Sequence, residues 1–341
     1  MPLKLGLMTG YWGSEPPEDI IGTAKKAEEM GYWGFFTAEA YGSDALTPLA
    51  WVGAHTSRIK LGTAIVQISA RTPAATAMHA LTLDHLSKGR LILGLGVSGP
   101  QVVEGWYGQP FAKPLARTRE YISIIRQVMA REAPVSGPGP HYPLPYPEDA
   151  PGSWGLGKPL KPITHPLRAD VPIFLGAEGP KNVTMAAEIC DGWYPLYYSP
   201  WRQEVYAENI ANRPEGFEIM YPMKMHVTDD LEAGRLEVKK SLALYIGGMG
   251  AKDRNFHNEL IVRMGYPDAA RKIQDLFLDG KKREAVAAVP DELVDEIALV
   301  GPKDRIRQQL AAWDDSPVTG LLVWPRAEGD LETFAELLLD R

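Results

Sequence analysis

The chain has 341 residues, 45% of them hydrophobic and 23% charged, enough apolar material for a large core and an ordinary share of surface charge. Thirty-six basic residues against 43 acidic ones give a formal net charge of -7, which disfavours a nucleic-acid partner. The single cysteine, Cys190, excludes an intramolecular disulfide and fits a reducing cytoplasm; the first residues lack the apolar run of a signal peptide, and no stretch approaches the roughly 20 apolar residues of a membrane span.

In chain order, Leu3 to Met8 reads as a buried strand. Ser14-Glu15-Pro16-Pro17 has the form of a helix start, for a helix with Ile20, Ala24 and Ala27 on one face and Gly31 at its end. Trp33 to Thr37 is the second strand, Asp44 to His55 the second helix and Ile59 to Val66 the third strand. Thr72 caps the third helix, Pro73 fits its first turn, Ala74, Ala77, Met78 and Leu81 share a face, and Gly89 stops it. Leu91 to Leu95 is the fourth strand, followed by a helix with Ile122, Ile125 and Val128. Residues 134 to 170 are dense in proline and glycine and too long for an ordinary connection, which leaves either a functional loop or lid, or a surface excursion. The alternation resumes with a strand at Val171 to Gly176, a helix at Pro180 to Cys190 and strands at Asp191 to Tyr197 and 218 to 227. Residues 229 to 297 read as a run of helices, Pro302 to Trp313 as a helix, Gly320 to Trp324 as the last strand, and a final helix closes the chain.

Strands alternating with helices imply a parallel sheet, doubly wound or closed. Gly94-Leu95-Gly96-Val97-Ser98-Gly99 only loosely resembles a dinucleotide fingerprint, and it follows the fourth strand rather than the first. Eight strands is the number that closes a barrel, so the expected fold is an α/β (β/α)8 TIM barrel, one domain over 1–341 with insertions at about 134–170 and 229–297.

In such a barrel the active site lies at the C-terminal strand ends. No HxH marks a metal-dependent hydrolase on the first strand, only Lys224 approaches the position of a Schiff-base lysine, and no acidic cluster marks a magnesium site. That sparse machinery suits an enzyme whose cofactor carries the chemistry. Gly176-Ala177-Glu178-Gly179-Pro180-Lys181-Asn182 sits between a strand and a helix, where free amides at a helix start attract a phosphate; it also reads as a simple turn, and Glu178 opposes an anion unless its side chain points away. Cys190 lies on an apolar helix face and reads as a small buried hydrophobe, and His79 and His85 lie on the third helix, away from the strand ends.

Four segments, Gly31 to Glu39, Leu61 to Ile65, Leu83 to Gly96 and Gly176 to Asn182 followed by Asp191-Gly192-Trp193, together resemble the bacterial-luciferase-like superfamily, and within it the branch of coenzyme F420-dependent oxidoreductases. Gly301 to Ile306 and Gly320 to Val323 fit as well, whereas residues 200 to 297 contribute little. The resemblance implies a cis peptide at Ala64–Ile65 against a deazaflavin ring, a cofactor-lining segment at Gly96, Val97 and Ser98, and a cofactor-phosphate site at Gly176 to Asn182. It makes Glu39 an acid close to the ring, either acting directly or fixing a loop. It also implies a homodimer as the common assembly. The chain departs from relatives at Met8, Ala40 and Asp44, where some of them carry an acid, a histidine and a tryptophan, and the loop from Tyr194 to Trp201 lacks the basic residues of a sugar-phosphate site. Tyr11, Trp12, Trp106 and Tyr197 suggest instead an apolar or aromatic substrate pocket, although such residues also serve as core or interface. The expected activity is hydride transfer between F420 and an organic substrate. The rivals are an FMN-dependent monooxygenase on the same fold and a non-catalytic F420-binding protein.

Overall fold

Ten parallel strands carry the fold in the computed structural model, which describes residues 2–250 and 255–340: β1 (Lys4–Gly10), β2 (Gly34–Thr37), β3 (Lys60–Thr63), β4 (Val66–Gln67), β5 (Leu91–Gly96), β6 (Ile173–Gly176), β7 (Gly192–Tyr194), β8 (Glu218–Val227), β9 (Ala298–Gly301) and β10 (Gly320–Val323). Eight of them close a barrel in the order β1-β2-β3-β5-β6-β7-β8-β10, with β10 returning to β1 through the pair Lys4 and Gly320. All eight barrel strands stand where the sequence places them, and the closed barrel, not the doubly wound sheet, is the fold. The predicted third strand breaks at Ala64–Ile65 into β3 and β4, and β4 continues on β5 with Val66 opposite Leu95. β8 changes partner along its length: Met220–Met223 pair with β10 and Lys224–Val227 with β9.

The helices are α1 (Ile20–Glu29), α2 (Leu46–His55), α3 (Pro73–Leu86), α4 (Pro100–Gly105), α5 (Pro114–Ala130), α6 (Pro180–Ile189), α7 (Glu204–Ala207), α8 (Leu231–Gly248), α9 (Phe256–Arg263), α10 (Pro267–Leu278), α11 (Lys282–Ala287), α12 (Asp291–Ile297), α13 (Lys303–Asp314) and α14 (Asp330–Leu338). None of the described helices is long and apolar enough to cross a membrane.

Strand alternation divides the core in two. Leu5, Leu7, Phe35, Leu61, Leu93, Leu175 and Val323 face outward under the helices. Met8, Phe36, Ala38, Ile92, Phe174, Tyr194, Met220 and Leu322 fill the lumen. Phe36 occupies its middle because its own strand and both neighbours carry glycine there: a Cβ on Gly6 of β1, Gly34 of β2 or Gly62 of β3 would stand 2.9, 2.7 or 2.1 Å from the Phe36 ring. One phenyl thus takes the room that several branched side chains take in an ordinary barrel layer.

Local signals differ in how well they read. Thr72 caps α3 as expected, accepting from the Ala75 amide at 3.3 Å, and Asp44 accepts from the Leu46 and Thr47 amides at 2.9 and 2.8 Å. The first helix starts later than Ser14–Pro17: Asp19 caps it, accepting from the Gly22 amide at 2.7 Å, because Pro17 disfavours helical backbone at Pro16. The seventh strand is shorter than Asp191–Tyr197, covering Gly192–Tyr194. β9 is an addition; it follows α12 directly, with no turn residue to announce it.

The two insertions divide between flank and mouth. The 134–170 segment is tied to α3 and α5: the His141 and Tyr142 amides donate to Glu120, His85 meets the His165 carbonyl at 2.8 Å, and Arg168 holds Asp84 at 2.8 Å. These partners hold the contacted parts of the segment against α3 and α5 on the barrel's flank. The helical insertion instead reaches the C-terminal strand ends, where α9 contacts the loop after β6.

Candidate active site at the C-terminal mouth of the barrel

Two hollows lie elsewhere, one of about 480 Å³ on the flank beside α5 and one of about 300 Å³ at the N-terminal end of the barrel. The N-terminal face of such a barrel serves stability, and the flank hollow's Arg119 and Arg126 are already paired with Glu188 and Asp191. Chemistry-bearing residues gather at the other end.

There the break between β3 and β4 projects into the mouth. The Ala64–Ile65 peptide is cis, as the resemblance implies. Thr63 anchors it, donating to the Gly94 carbonyl and accepting from the Gly94 amide, both at 2.8 Å. The Ala64 amide donates to the Thr37 carbonyl at 2.7 Å and the Glu39 amide to the Ile65 carbonyl at 3.1 Å. Ala64 and Ile65 are half-buried while Thr63 and Val66 on either side are buried, so the break turns both toward the opening. Ile65 lies across Gly96 and Gly176: a Cβ on these would stand 2.8 and 3.2 Å from its side chain. Residues from three strands thus form one continuous surface, which Val97 and Ser98 extend half-buried, Ser98 with φ of 56°.

Glu39 is buried beneath this surface with all four lone-pair directions of its carboxylate engaged. Oε1 accepts from Arg71 Nη1 at 2.7 Å and the Gln67 amide at 2.9 Å; Oε2 accepts from Arg71 Nη2 at 3.0 Å and the Ala45 amide at 3.2 Å. Burial alone would lower the Arg71 guanidinium, but the Glu39 carboxylate outweighs it and holds the group above its ordinary value. Of the two roles open to Glu39, acting directly or fixing a loop, this geometry is that of the second. Its carboxylate joins the segment after β2, the β4 segment and the entrance of α2, and leaves no oxygen to meet a ligand.

The β6–α6 turn keeps the character of an anion site. Gly179 begins α6 without a side-chain cap, a Cβ there would meet nothing within 4 Å, and Pro180 opens the helix. Lys181 is exposed, and Asn182 Oδ1 is buried without a hydrogen-bond partner among the described residues. Ala177 is fixed by bonds from its amide to the Tyr194 carbonyl at 3.3 Å and from Trp193 Nε1 to its carbonyl at 2.7 Å. Glu178 turns away from the helix start: Oε2 lies 2.5 Å from His257 Nδ1, and its carbonyl accepts from Arg263 at 3.2 Å. The objection raised by its charge is met by α9. His257 and Arg263 went unread because they lie in the stretch where the resemblance is weakest.

The aromatic residues divide. Tyr11 is exposed and 6.4 Å from Tyr41, Trp12 is half-buried with its indole N–H unpartnered, and Trp106 is exposed at the end of α4. Tyr197 does not line the wall; it is buried behind it, edge-on to Tyr245 at 6.1 Å and His257 at 6.5 Å. Tyr245 of α8 takes that place: burial, then Tyr11, Glu178 and Tyr41, push its phenol up. Cys190 is buried as expected, and burial pushes its thiol up to about 12, away from nucleophilic use.

The sequence profile described as luciferase-like monooxygenase matches residues 4–320. A protein of Mycobacterium tuberculosis (strain ATCC 25618 / H37Rv) named, provisionally, as coenzyme F420-dependent oxidoreductase Rv3520c is 55% identical over 98% of this chain and 99% of its own length. The 5,10-methylenetetrahydromethanopterin reductase of Archaeoglobus fulgidus is 26% identical over 86% of each chain. Among solved structures, the coenzyme F420-dependent tetrahydromethanopterin reductase of Methanopyrus kandleri has the same fold, with a TM-score of 0.79 over 100% of this chain and 99% of its own at 21% identity. With a profile spanning nearly all of the barrel and a full-length relative at that identity, the chain belongs to the luciferase-like monooxygenase family.

Proposed function

We propose that the chain is a coenzyme F420-dependent oxidoreductase that transfers a hydride between the deazaflavin and an apolar or aromatic organic substrate. The observation that carries this reading is the surface formed by Ile65 over Gly96 and Gly176, which runs into the uncapped start of α6. A planar ring needs support on which no side chain stands up, and a phosphate needs free amides at a helix start. The name of the 55% identical relative points the same way. When bound, the deazaflavin supplies the two-electron chemistry. The chain's part is placement: Ala64, Ile65, Gly96, Val97 and Ser98 support the ring, Gly176 to Asn182 take the phosphate, and Glu39 with Arg71 holds the supporting break in place. Tyr11, Trp12, Trp106 and Tyr245 give the substrate an apolar wall and exclude water.

Titration of the purified protein with F420 and with FMN, followed by fluorescence, tests this. The expected result is micromolar binding of F420 and binding of FMN at least about tenfold weaker. FMN binding without F420 binding would replace the reading with a flavin monooxygenase. F420 binding with no turnover across a panel of carbonyls, enones and nitroaromatics would leave a cofactor-binding protein.

We also propose that the chain forms a homodimer. Trp51 on α2, Met78 and Leu86 on α3, and Trp154, Leu156, Leu160 and Ile163 of the flanking excursion are all exposed, more apolar surface than isolated residues would give. Light scattering is expected to give twice the chain mass; a monomer at micromolar concentration would end this reading.

A further inference from the structure

β8 brings an unmatched charge to the mouth. Met220 packs in the lumen, so alternation turns Pro222, Lys224 and His226 to the same side. Register sets Met223 opposite Val323 and Val323 opposite Leu7, which puts Lys224 level with Trp324 and Met8 in the top layer. Lys224 is half-buried and its ammonium donates to Ser241 Oγ of α8. Among the described residues no carboxylate pairs with it, although a cation partly stripped of water is ordinarily matched because that desolvation is costly. The charge that bears on it is another cation, Arg326, which follows β10, is exposed and forms no ion pair among the described residues.

The other groups facing this corner are spoken for. Glu237, one turn before Ser241 on α8, is paired with Lys240, and Asp330 accepts from the Arg326 and Ala327 amides. Burial first and Arg326 second push Lys224 down to about 8, and the same causes in the same order lower His226. Tyr245 stands one turn beyond Ser241, in the aromatic wall, and the fully buried Tyr197 hydroxyl, with Ser241 among the groups acting on it, has no well-formed hydrogen bond.

We infer that Lys224 and Arg326 form a subsite for one carboxylate of the substrate, which makes the preferred substrate an aromatic or apolar acid. The inference rests on the mouth being the substrate site, as proposed above. A single anion supplies the counter-charge that Lys224 lacks, and the wall of Tyr11, Trp12 and Tyr245 receives the rest of the molecule.

The test uses the full chain, 3-phenylpropionate as probe and 3-phenylpropionamide as its neutral twin. Calorimetry is run at about pH 7 and about pH 9, in two buffers of different ionisation enthalpy. The acid is expected to bind at least about tenfold more tightly than the amide. A bound anion raises the Lys224 pKa, so acid binding takes up protons near pH 9, and affinity is fully present below about pH 8 and declines above it. Lys224→Met abolishes both the preference and the proton uptake. Lys224→Arg keeps the preference and loses the uptake, a pattern that mere packing by Lys224 would not give. Arg326→Gln weakens the preference and retains the uptake. Equal binding of acid and amide, binding of neither, or an undiminished preference in Lys224→Met overturns the subsite. Preloading with F420 separates the two sources of carboxylate: unchanged acid affinity assigns the cations to substrate, whereas competition assigns them to the cofactor's own acidic tail and overturns the inference. F420 binding without an acid preference defeats the subsite alone; an acid preference without F420 binding defeats the proposed function alone.

Discussion

Glu39→Ala is expected to destabilise the protein by about 3–5 kcal/mol, the cost of leaving one partner of a buried ion pair unmatched. The guanidinium of Arg71 would lose both of its bonds to the carboxylate, at 2.7 and 3.0 Å, and the Gln67 and Ala45 amides would lose their acceptor. Urea denaturation reads the loss directly. The double replacement Glu39→Leu with Arg71→Met removes both charges together and is expected to recover most of it. Glu39→Gln lies between, since an amide offers fewer acceptor sites than the four that are used. F420 affinity should fall with stability in this series, because the same bonds hold the segment that carries Ile65. A catalytic acid would behave differently: Glu39→Gln would keep stability and cofactor affinity and lose turnover alone. A stability loss under about 1 kcal/mol for Glu39→Ala would put the pair in the class of surface ion pairs and end the positioning role.

Alanine at Gly94 and at Gly96 should separate the fold from the cofactor surface. A Cβ on Gly94 would stand 1.8 Å from the Thr63 carbonyl oxygen and 2.6 Å from the Tyr194 ring. The oxygen is backbone at the centre of the barrel wall and cannot turn aside, so Gly94→Ala is expected to abolish soluble expression or to cost upwards of about 4 kcal/mol. At Gly96 the nearest atom is the Cδ1 end of Ile65, at 2.8 Å, and a side-chain end can move. Gly96→Ala should cost about 1–3 kcal/mol, the range for overpacking, and leave a folded protein. With Ile65 displaced from the glycine bed, F420 affinity should drop by about tenfold or more. Melting curves and the fluorescence titration read the two effects separately. A Gly96→Ala protein that binds F420 like the parent would show that Ile65 takes no part in the cofactor surface.

The barrel was legible because each of its strands is a short apolar run bounded by glycine, proline or polar residues, the pattern a buried parallel strand produces. Thr72 was legible for a local reason, a short acceptor three residues before the amide it caps; Asp44 acts in the same way but was read only as the first residue of its helix. What escaped reading depends on pairing at a distance. Glu39 announces an acid near the mouth, but nothing in its neighbourhood announces that Arg71 will take both of its oxygens across 32 residues. His257 and Glu178 lie 79 positions apart and meet only because α9 folds back over the loop after β6. Lys224 was visible as the one lysine near a strand end; that it lacks a counter-charge follows from the packing of α8 upon it.

The change of partner along β8 has a consequence for how such a protein can diversify. The ladder between β8 and β10 ends at Met223 and Val323, and beyond it β8 pairs with β9, so β10 and the upper part of β8 are not stitched together by a backbone ladder. On the opposite side, β3, β4, β5 and β6 remain laddered and owe their surface to glycines and main chain. Heritable variation therefore meets two materials at one opening. Side chains at Tyr11, Lys224, Tyr245 and Arg326 can be exchanged one at a time without unpicking a hydrogen-bonded row, whereas an exchange at Gly94 meets main chain and one at Gly96 displaces Ile65. If the mouth is the substrate site as proposed, a lineage built this way is free to wander in what it acts upon while staying bound to one cofactor.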